Sequence, residues 1–444
     1  MDESNSARRP RVPFAWLLDW WLRNWRRIAL VLVALLGAVL IVRAVANLWL
    51  GQRLHRETAR LEKIYGRLDP ATLAPSARVL PSENRARMMR AAANLTTVNG
   101  QAVLQSFLRG HEASPDDQKI VEDNRLAVQV AEQARRRPKS NWDIDYGNND
   151  ANIPRLLDIR TLGEVLAVTC RVDLDAGRAN EAAEAALAGL AEASSLGHEP
   201  VLVLQLIRIA VAEAQLDCIR DLLQRGDPSA AVLAELADAL AENRSPDPMH
   251  IAFVGELKHV DRFFLMTERG QGGVYAVGLT GNIGHRPAAW PIIWLARPLI
   301  RAGHLRFLEE MGRLIEVQTT APFARRPSGA KAWPRATRAR WWEVARQFDA
   351  LFLPGLERAD EAGYEYQSIL NAADVAVALR RFRLDHGAYP DALAALAPRY
   401  LAKVPVDPFT GKPPEYKRDG AGFELRARGA GRYTNQLLEW KIAR

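Results

Sequence analysis

LLDIRTLGEVLAVTCRVDLDAG (156–177), ANEAAEAALAGLAEASSLG (179–197) and PVLVLQLIRIAVAEAQLDCIRDLLQRG (200–226) follow one another almost without a break. Apolar residues recur at helical spacing in each piece, and the pieces stop at Gly177, Gly197 and Gly226. A helix commonly ends where the next residue turns left-handed, and glycine does so without steric cost. Asp227-Pro228-Ser229 then starts a further helix. Connections this short make successive helices antiparallel neighbours. These residues predict a mainly α protein whose body is a helical bundle or a solenoid-like layer.

The helical signal extends in both directions, over a body placed at 82–321. Upstream, Ser82 is positioned to cap a helix containing Arg87, Met88 and Met89. Ser114-Pro115-Asp116-Asp117 combines a hydroxyl cap, a proline at the first position and carboxylates in the first turn, and its helix is expected to end near Arg135. Downstream, GHLRFLEEMGRLIEV (303–317) is an amphipathic helix. The pair around DAGRANEAAEAAL (175–187) resembles one tetratricopeptide unit, but no second copy recurs at a fixed period. The apolar run 272–300 is broken by His285-Arg286-Pro287, Pro291 and Pro298 into pieces too short to cross a membrane, so a buried or surface-associated loop is expected.

The first fifty residues carry a different signal. IALVLVALLGAVLIV (28–42) is uninterrupted apolar sequence, and after Arg43 the run continues as AVANLWL to Leu50. A helix crosses the hydrocarbon core in about 20 residues, so 28–50 reads as a transmembrane helix. Arg43 lies near its far end, within snorkelling reach of the interface. Trp16, Trp20, Trp21 and Trp25 would mark the inner interface and Trp49 the outer one. Arg8, Arg9, Arg11, Arg23, Arg26 and Arg27 precede the span, which keeps 1–27 as a cytoplasmic juxtamembrane segment. Its 12–27 portion also reads as a helix lying in the interface. A cleaved signal peptide is the competing reading, with Ala44-Val45-Ala46 as its cleavage site; the tryptophan-rich lead favours an anchor. The expected location is a cell inner membrane, single-pass, with the bulk of the chain periplasmic or otherwise extracytoplasmic. Residues 51–81 are a stalk and proline-punctuated linker, the stalk continuing the anchor helix over 52–65.

With 444 residues, 25% charged and 48% hydrophobic, the chain is an ordinary folded protein of more than one core. Its net charge of +8 favours acidic partners. Outside the cytoplasm this means lipid or protein rather than nucleic acid. PFARRPSGAKAWPRATRARWW (322–342) holds six basic residues, three tryptophans and no acid, and reads as a solvated basic linker or a membrane-surface contact. The two cysteines, Cys170 and Cys218, have no metal-ligand spacing. Both fall in helical patterns as small buried residues; a disulfide between neighbouring helices is the second reading and requires an oxidising compartment. NWDIDYGNND (141–150) gathers Asp143, Asp145 and Asp150, but Gly147 stands where a calcium loop needs a third ligand, so it reads as a polar turn. The histidines His55, His111, His198, His250, His259, His285, His304 and His386 are scattered. Glu309-Glu310 and Asp360-Glu361 are adjacent pairs that diverge on a helix. GxSxG, HExxH, P-loop and GxGxxG motifs are absent, so no catalytic, cofactor-binding or metal-binding residue is assigned and no cofactor is expected.

The last stretch, 343–444, departs in composition. Tyr364 to Asp385 shows Ile369, Ala372, Ala373, Ala376, Leu379 and Phe382 on one helical face, with Gly387 as its stop. Tyr389-Pro390 turns the chain, Asp391 assists a short helix to Leu396, and Asp407-Pro408 makes a corner. Glu415 to Lys417 and Phe423 to Ala427 form a hairpin around DGAG, and Phe423, Leu425 and Ala427 alternate onto one face above Leu379 and Phe382.

LDHGAYP (384–390), VPVDPFTG (404–411) and the hairpin ending near Ala427 resemble the C-terminal half of the type II secretion major pseudopilins, over about sixty residues. The resemblance implies a small α+β module of long helix plus hairpin. The chain departs from that family in its anchor, which lacks the prepilin-peptidase site and its glutamate, and in Phe409, where a tryptophan is usual. RARGAGRYTNQ (426–436) has no carboxylate where the family's acidic loop binds calcium. The expected function is thus a membrane-anchored extracytoplasmic scaffold or protein-binding protein associated with secretion or pilus-like machinery; an extracytoplasmic hydrolase with a site assembled only in three dimensions is the alternative.

Overall fold

A computed structural model describes residues 15–75, 78–98, 103, 112–147, 155–244, 247–269, 290–320, 344–427 and 438–442. The basic segment 322–342, the 428–436 stretch and residues 272–289 of the apolar run lie outside the described residues.

The protein is mainly helical, with one small sheet near its C-terminus. The first helix, α1 (Ala15–Tyr65), runs unbroken through the apolar segment and the stalk. α2 (Arg85–Asn94), α3 (Pro115–Asp123), α4 (Arg125–Arg135), α5 (Leu156–Asp175), α6 (Ala179–Ser195), α7 (Leu202–Arg225), α8 (Ala230–Arg244) and α9 (Pro248–Glu268) follow, then α10 (Trp290–Thr320) and α11 (Val344–His386).

Ser114 caps α3 as its sequence demands: its Oγ accepts the Asp117 amide at 3.2 Å, and the Asp117 carboxylate accepts the Ser114 amide at 2.9 Å. The single helix expected to run on to Arg135 is instead two. Asn124 interrupts it, because its side chain donates to the Ile120 carbonyl at 2.8 Å and accepts the Thr97 amide at 2.9 Å. The cap of α2 is also displaced, from Ser82 to Asn84. The Asn84 side chain is spent on residue 141, donating to its carbonyl at 2.8 Å and accepting its amide at 3.1 Å.

α5, α6 and α7 pack on one another as the short connections require. Close approach is possible because α6 is rich in small residues: Ala182, Ala183, Ala185, Ala186 and Ala188 are fully buried. Of the three glycines read as left-handed stops, only Gly177 has positive φ, at 76°. Gly226 is extended, with φ −99°. α2, α3 and α4 cover one side of this trio, while α8 and α11 cover another.

α10 passes straight through Pro298, which the sequence reading took as a breaker. α11 begins at Val344, twenty residues before the expected start, and ends at Gly387 with φ 74°. Between 373 and 379 it is buried on every side, against α7, α8, α10 and the sheet. The short helix after Asp391 is a 3₁₀ turn, Leu393–Leu396. The sheet has three antiparallel strands in the order β1 (Glu415–Asp419), β2 (Gly422–Ala427) and β3 (Leu438–Ile442); the sequence reading held only the first two. Phe423, Leu425 and Ala427 do alternate onto a buried face, and β3 adds Trp440 and Ile442. Phe382, expected under the hairpin, is half-buried instead; it stacks on His386 at 4.0 Å and meets Tyr400 edge-on at 5.6 Å. One apolar core runs from Leu54 and Leu61 of α1 through Ile219, Leu236 and Leu308 to Leu379, Phe423 and Ile442.

Candidate functional site

α1 changes character along its length. An eighteen-residue window reaches a mean hydropathy of 2.8 with none of it buried in the protein. Leu30, Val33, Leu36, Val39, Val42, Val45 and Leu48 are all more than half exposed, so the apolar surface faces outward all round. Past Leu50 the same helix turns inward: Leu54 and Leu61 are buried against α10, and Arg53 pairs with Glu309 at 2.8 Å. α1 is thus long and apolar enough to cross a membrane, and its far end is part of the body's core. Trp25 and Trp49 are exposed near the two ends of the apolar run; the side chains of Trp16, Trp20 and Trp21 lie outside the described residues.

Two contacts join α1 to the first third of α10. The Arg43 guanidinium donates to the Trp294 carbonyl and lies 3.4 Å from the centroid of its indole. Arg301 donates to the Asn47 carbonyl at 3.0 Å and pairs with Glu268 of α9. Sequence reading gave no sign of either, since the partners are some 250 residues apart.

Several of the polar residues singled out from the sequence have structural partners. In the 141–147 loop, Asp145 accepts the Gly147 amide at 3.0 Å, Trp142 donates its ring N–H to the Ser195 carbonyl at 2.9 Å, and Tyr146 donates to buried Glu199. Asp150 lies outside the described residues. Among the described residues no group of three His, Cys, Asp or Glu side chains is arranged to hold a metal ion. His250 and His259 are nine residues apart on α9, which places them on opposite sides of the helix. His111 and His285 lie outside the described residues. Among the described residues, His304 lies 2.8 Å from the Asp261 carboxylate, a pair the sequence reading missed. Both are buried and Phe264 stacks on the imidazole at 4.8 Å, so the pair is sealed from solvent.

Cys170 and Cys218 are both free and buried. The Cys170 thiol beside it and burial together push the Cys218 thiol well up, away from the reactive thiolate. Two further carboxyls are displaced by the packing. Glu192 of α6 is fully buried with neither oxygen hydrogen-bonded, and burial raises it well above the ordinary carboxylate range, so it is held neutral. Glu213 of α7 is pushed up to about 8 by burial, with the Glu365 and Asp217 charges adding to it.

A surface cleft between α2, α4, α6 and α8 is lined by Arg85, Arg135, Glu235, Asp238 and Glu242. Both of its arginines are already paired: Arg85 holds Glu242 at 2.6 Å, and Arg135 holds Glu235 at 2.8 Å and Glu184. A second cleft is lined by Ala93, Asn94, Thr96, Arg155 and Asp158. The first joins four helices electrostatically; neither brings a histidine to a carboxylate. Comparison with protein-family models, with curated proteins and with solved structures returns no match for this chain.

Proposed function

We propose that this chain is a single-pass protein of a cell inner membrane, anchored by α1 with its N-terminus in the cytoplasm. The helical body stands outside the cytoplasm and acts as a scaffold or protein-binding protein. Its association is with secretion or pilus-like machinery. The observation that carries the reading is α1 itself: an exposed apolar first part followed, without a joint, by a last part buried in the body. Arg23, Arg26 and Arg27 before the apolar run support the orientation. The link to secretion machinery is supported by the resemblance of 380–427 to the pseudopilins and by the antiparallel hairpin of this segment, which packs on the long helix α11 that leads into it.

A reporter active only in the cytoplasm, fused after Arg444, is expected to stay silent while the protein fractionates with membranes; an active reporter would refute the topology. Crosslinking in intact membranes is expected to recover a secretion or pilus-like component. Recovery of other envelope proteins alone would overturn the association and leave a scaffold of different partners.

A further inference from the structure

Pro298 lies inside α10. Proline has no N–H, so the carbonyl four residues earlier, that of Trp294, loses its helical partner. Arg43 supplies the replacement donor and covers the Trp294 ring. The charge that interrupts the apolar run and the proline that interrupts α10 thus satisfy each other. Further along, Arg301 repeats the tie by donating to the Asn47 carbonyl. The first third of α10 is therefore laid along α1 between residues 43 and 51. It leaves Trp294, Leu295 and Leu299 exposed, as Val42, Val45 and Leu48 of α1 are.

Depth decides what covers this surface. Starting from Ile28, about 20 residues at about 1.5 Å each cross the hydrocarbon core, so its far boundary falls near Asn47. Arg43 lies four residues short of that, about 6 Å inside. A guanidinium there is costly unless it pairs, and its partner is Trp294. Residues bonded to Arg43 share its depth.

We propose that the N-terminal part of α10 is embedded in the leaflet where α1 emerges, with lipid acyl chains against Trp294, Leu295 and Leu299, and with Arg43–Trp294 as an intramembrane tie. The inference rests on α1 spanning the bilayer. It makes the body a membrane-seated structure with two inserted elements rather than one anchor. Arg301, bonded to the Asn47 carbonyl, marks the boundary, and Arg297, paired with Glu268 at 3.1 Å, lies just inside it.

The test uses the full-length protein in phosphatidylcholine–phosphatidylglycerol vesicles. A nitroxide is attached in turn to Leu295→Cys, Leu299→Cys, Val33→Cys and Leu126→Cys. The native thiols are buried, so the parent protein should take up no label. Accessibility to oxygen is compared with accessibility to a water-soluble nickel complex. Labels at 295 and 299 are expected to favour oxygen, as the label at 33 does, whereas the label at 126 on the body favours nickel. Arg43→Gln is expected to reverse the ratio at 295. Nickel-accessible labels at 295 and 299, with 33 still oxygen-accessible, would overturn the inference and leave the anchor standing. Nickel access at 33 as well would overturn both.

Discussion

Gly255→Ala is a substitution for which helix propensity and packing predict opposite signs. Gly255 sits inside α9, where alanine should be better than glycine by about 0.5–1 kcal/mol. A Cβ built there would overlap the Pro200 carbonyl oxygen, lie 2.6 Å from its carbonyl carbon and 3.1 Å from the Pro200 Cβ. The obstruction is backbone, and that backbone is fixed. Gln205 donates to the carbonyls of Leu196 and Glu199 at 2.7 Å each, and Glu199 is itself held by Trp142 and Tyr146. α9 must therefore move, disturbing its packing on α7, α10 and α11. Overpacking of this kind costs about 1–3 kcal/mol, and overlap with a fixed main chain places it near the top of the range. The net loss is about 2 kcal/mol after the propensity gain. Gly355→Ala in α11 is the matched control: nothing lies within 4 Å of its Cβ, so it should gain the full 0.5–1 kcal/mol, roughly. Pulse proteolysis across a urea series, in detergent, reads both as shifts of the midpoint at unchanged slope. The midpoint should fall for Gly255→Ala and rise for Gly355→Ala. A Gly255→Ala protein as stable as the parent would refute the argument from close approach.

Phe423→Ala removes a buried ring that meets Tyr389 at 4.9 Å, so it should cost about 3–5 kcal/mol and open the chain after Gly387 to limited proteolysis. Phe382→Ala, at a half-buried ring, should cost less; equal protease sensitivity of the two would contradict the observed burial. Glu213, raised to about 8, keeps in the folded protein a proton that the unfolded chain releases near its ordinary carboxylate value. Its contribution to stability is full below about 4.5 and is lost as pH rises through about 8. Denaturation midpoints should show that fall, and Glu213→Gln should flatten it; superimposable profiles would sink the assignment. Cys170 and Cys218 should resist a polymer-tagged maleimide in the native protein and both react after unfolding, read as two band shifts on a gel. Labelling of either thiol before unfolding would contradict their placement between α5 and α7.

The helices were legible where apolar spacing and punctuation agree, as at Ser114 before α3, Gly177 after α5 and Ser229 before α8. They were misread where a local signal was outvoted by a distant partner. Pro298 looks like a stop because the group that replaces its missing bond is Arg43, far away in sequence. β3 is no shorter than β1, but no short turn signal ties it to a partner strand, and it is recognisable only as the neighbour of β2. At the candidate site, the apolar run showed itself through length and composition. The tie between α1 and α10 did not, because nothing in a sequence says which arginine will find which carbonyl. Buried Arg208 is a similar case: its guanidinium reaches the Asn243 carbonyl at 2.7 Å from inside an apolar helix pattern.

The continuity of α1 has a mechanical consequence. A helix of 51 residues is roughly 77 Å long at about 1.5 Å per residue. Its described course holds no hinge, and its last turns are locked into the body by Leu54 and Leu61. Spanning helices lean by roughly 20° on average, and the lean follows bilayer thickness. If α1 spans a bilayer as proposed, no joint absorbs that lean and it becomes a lever: the body's attitude to the membrane plane would follow the thickness of the surrounding lipid.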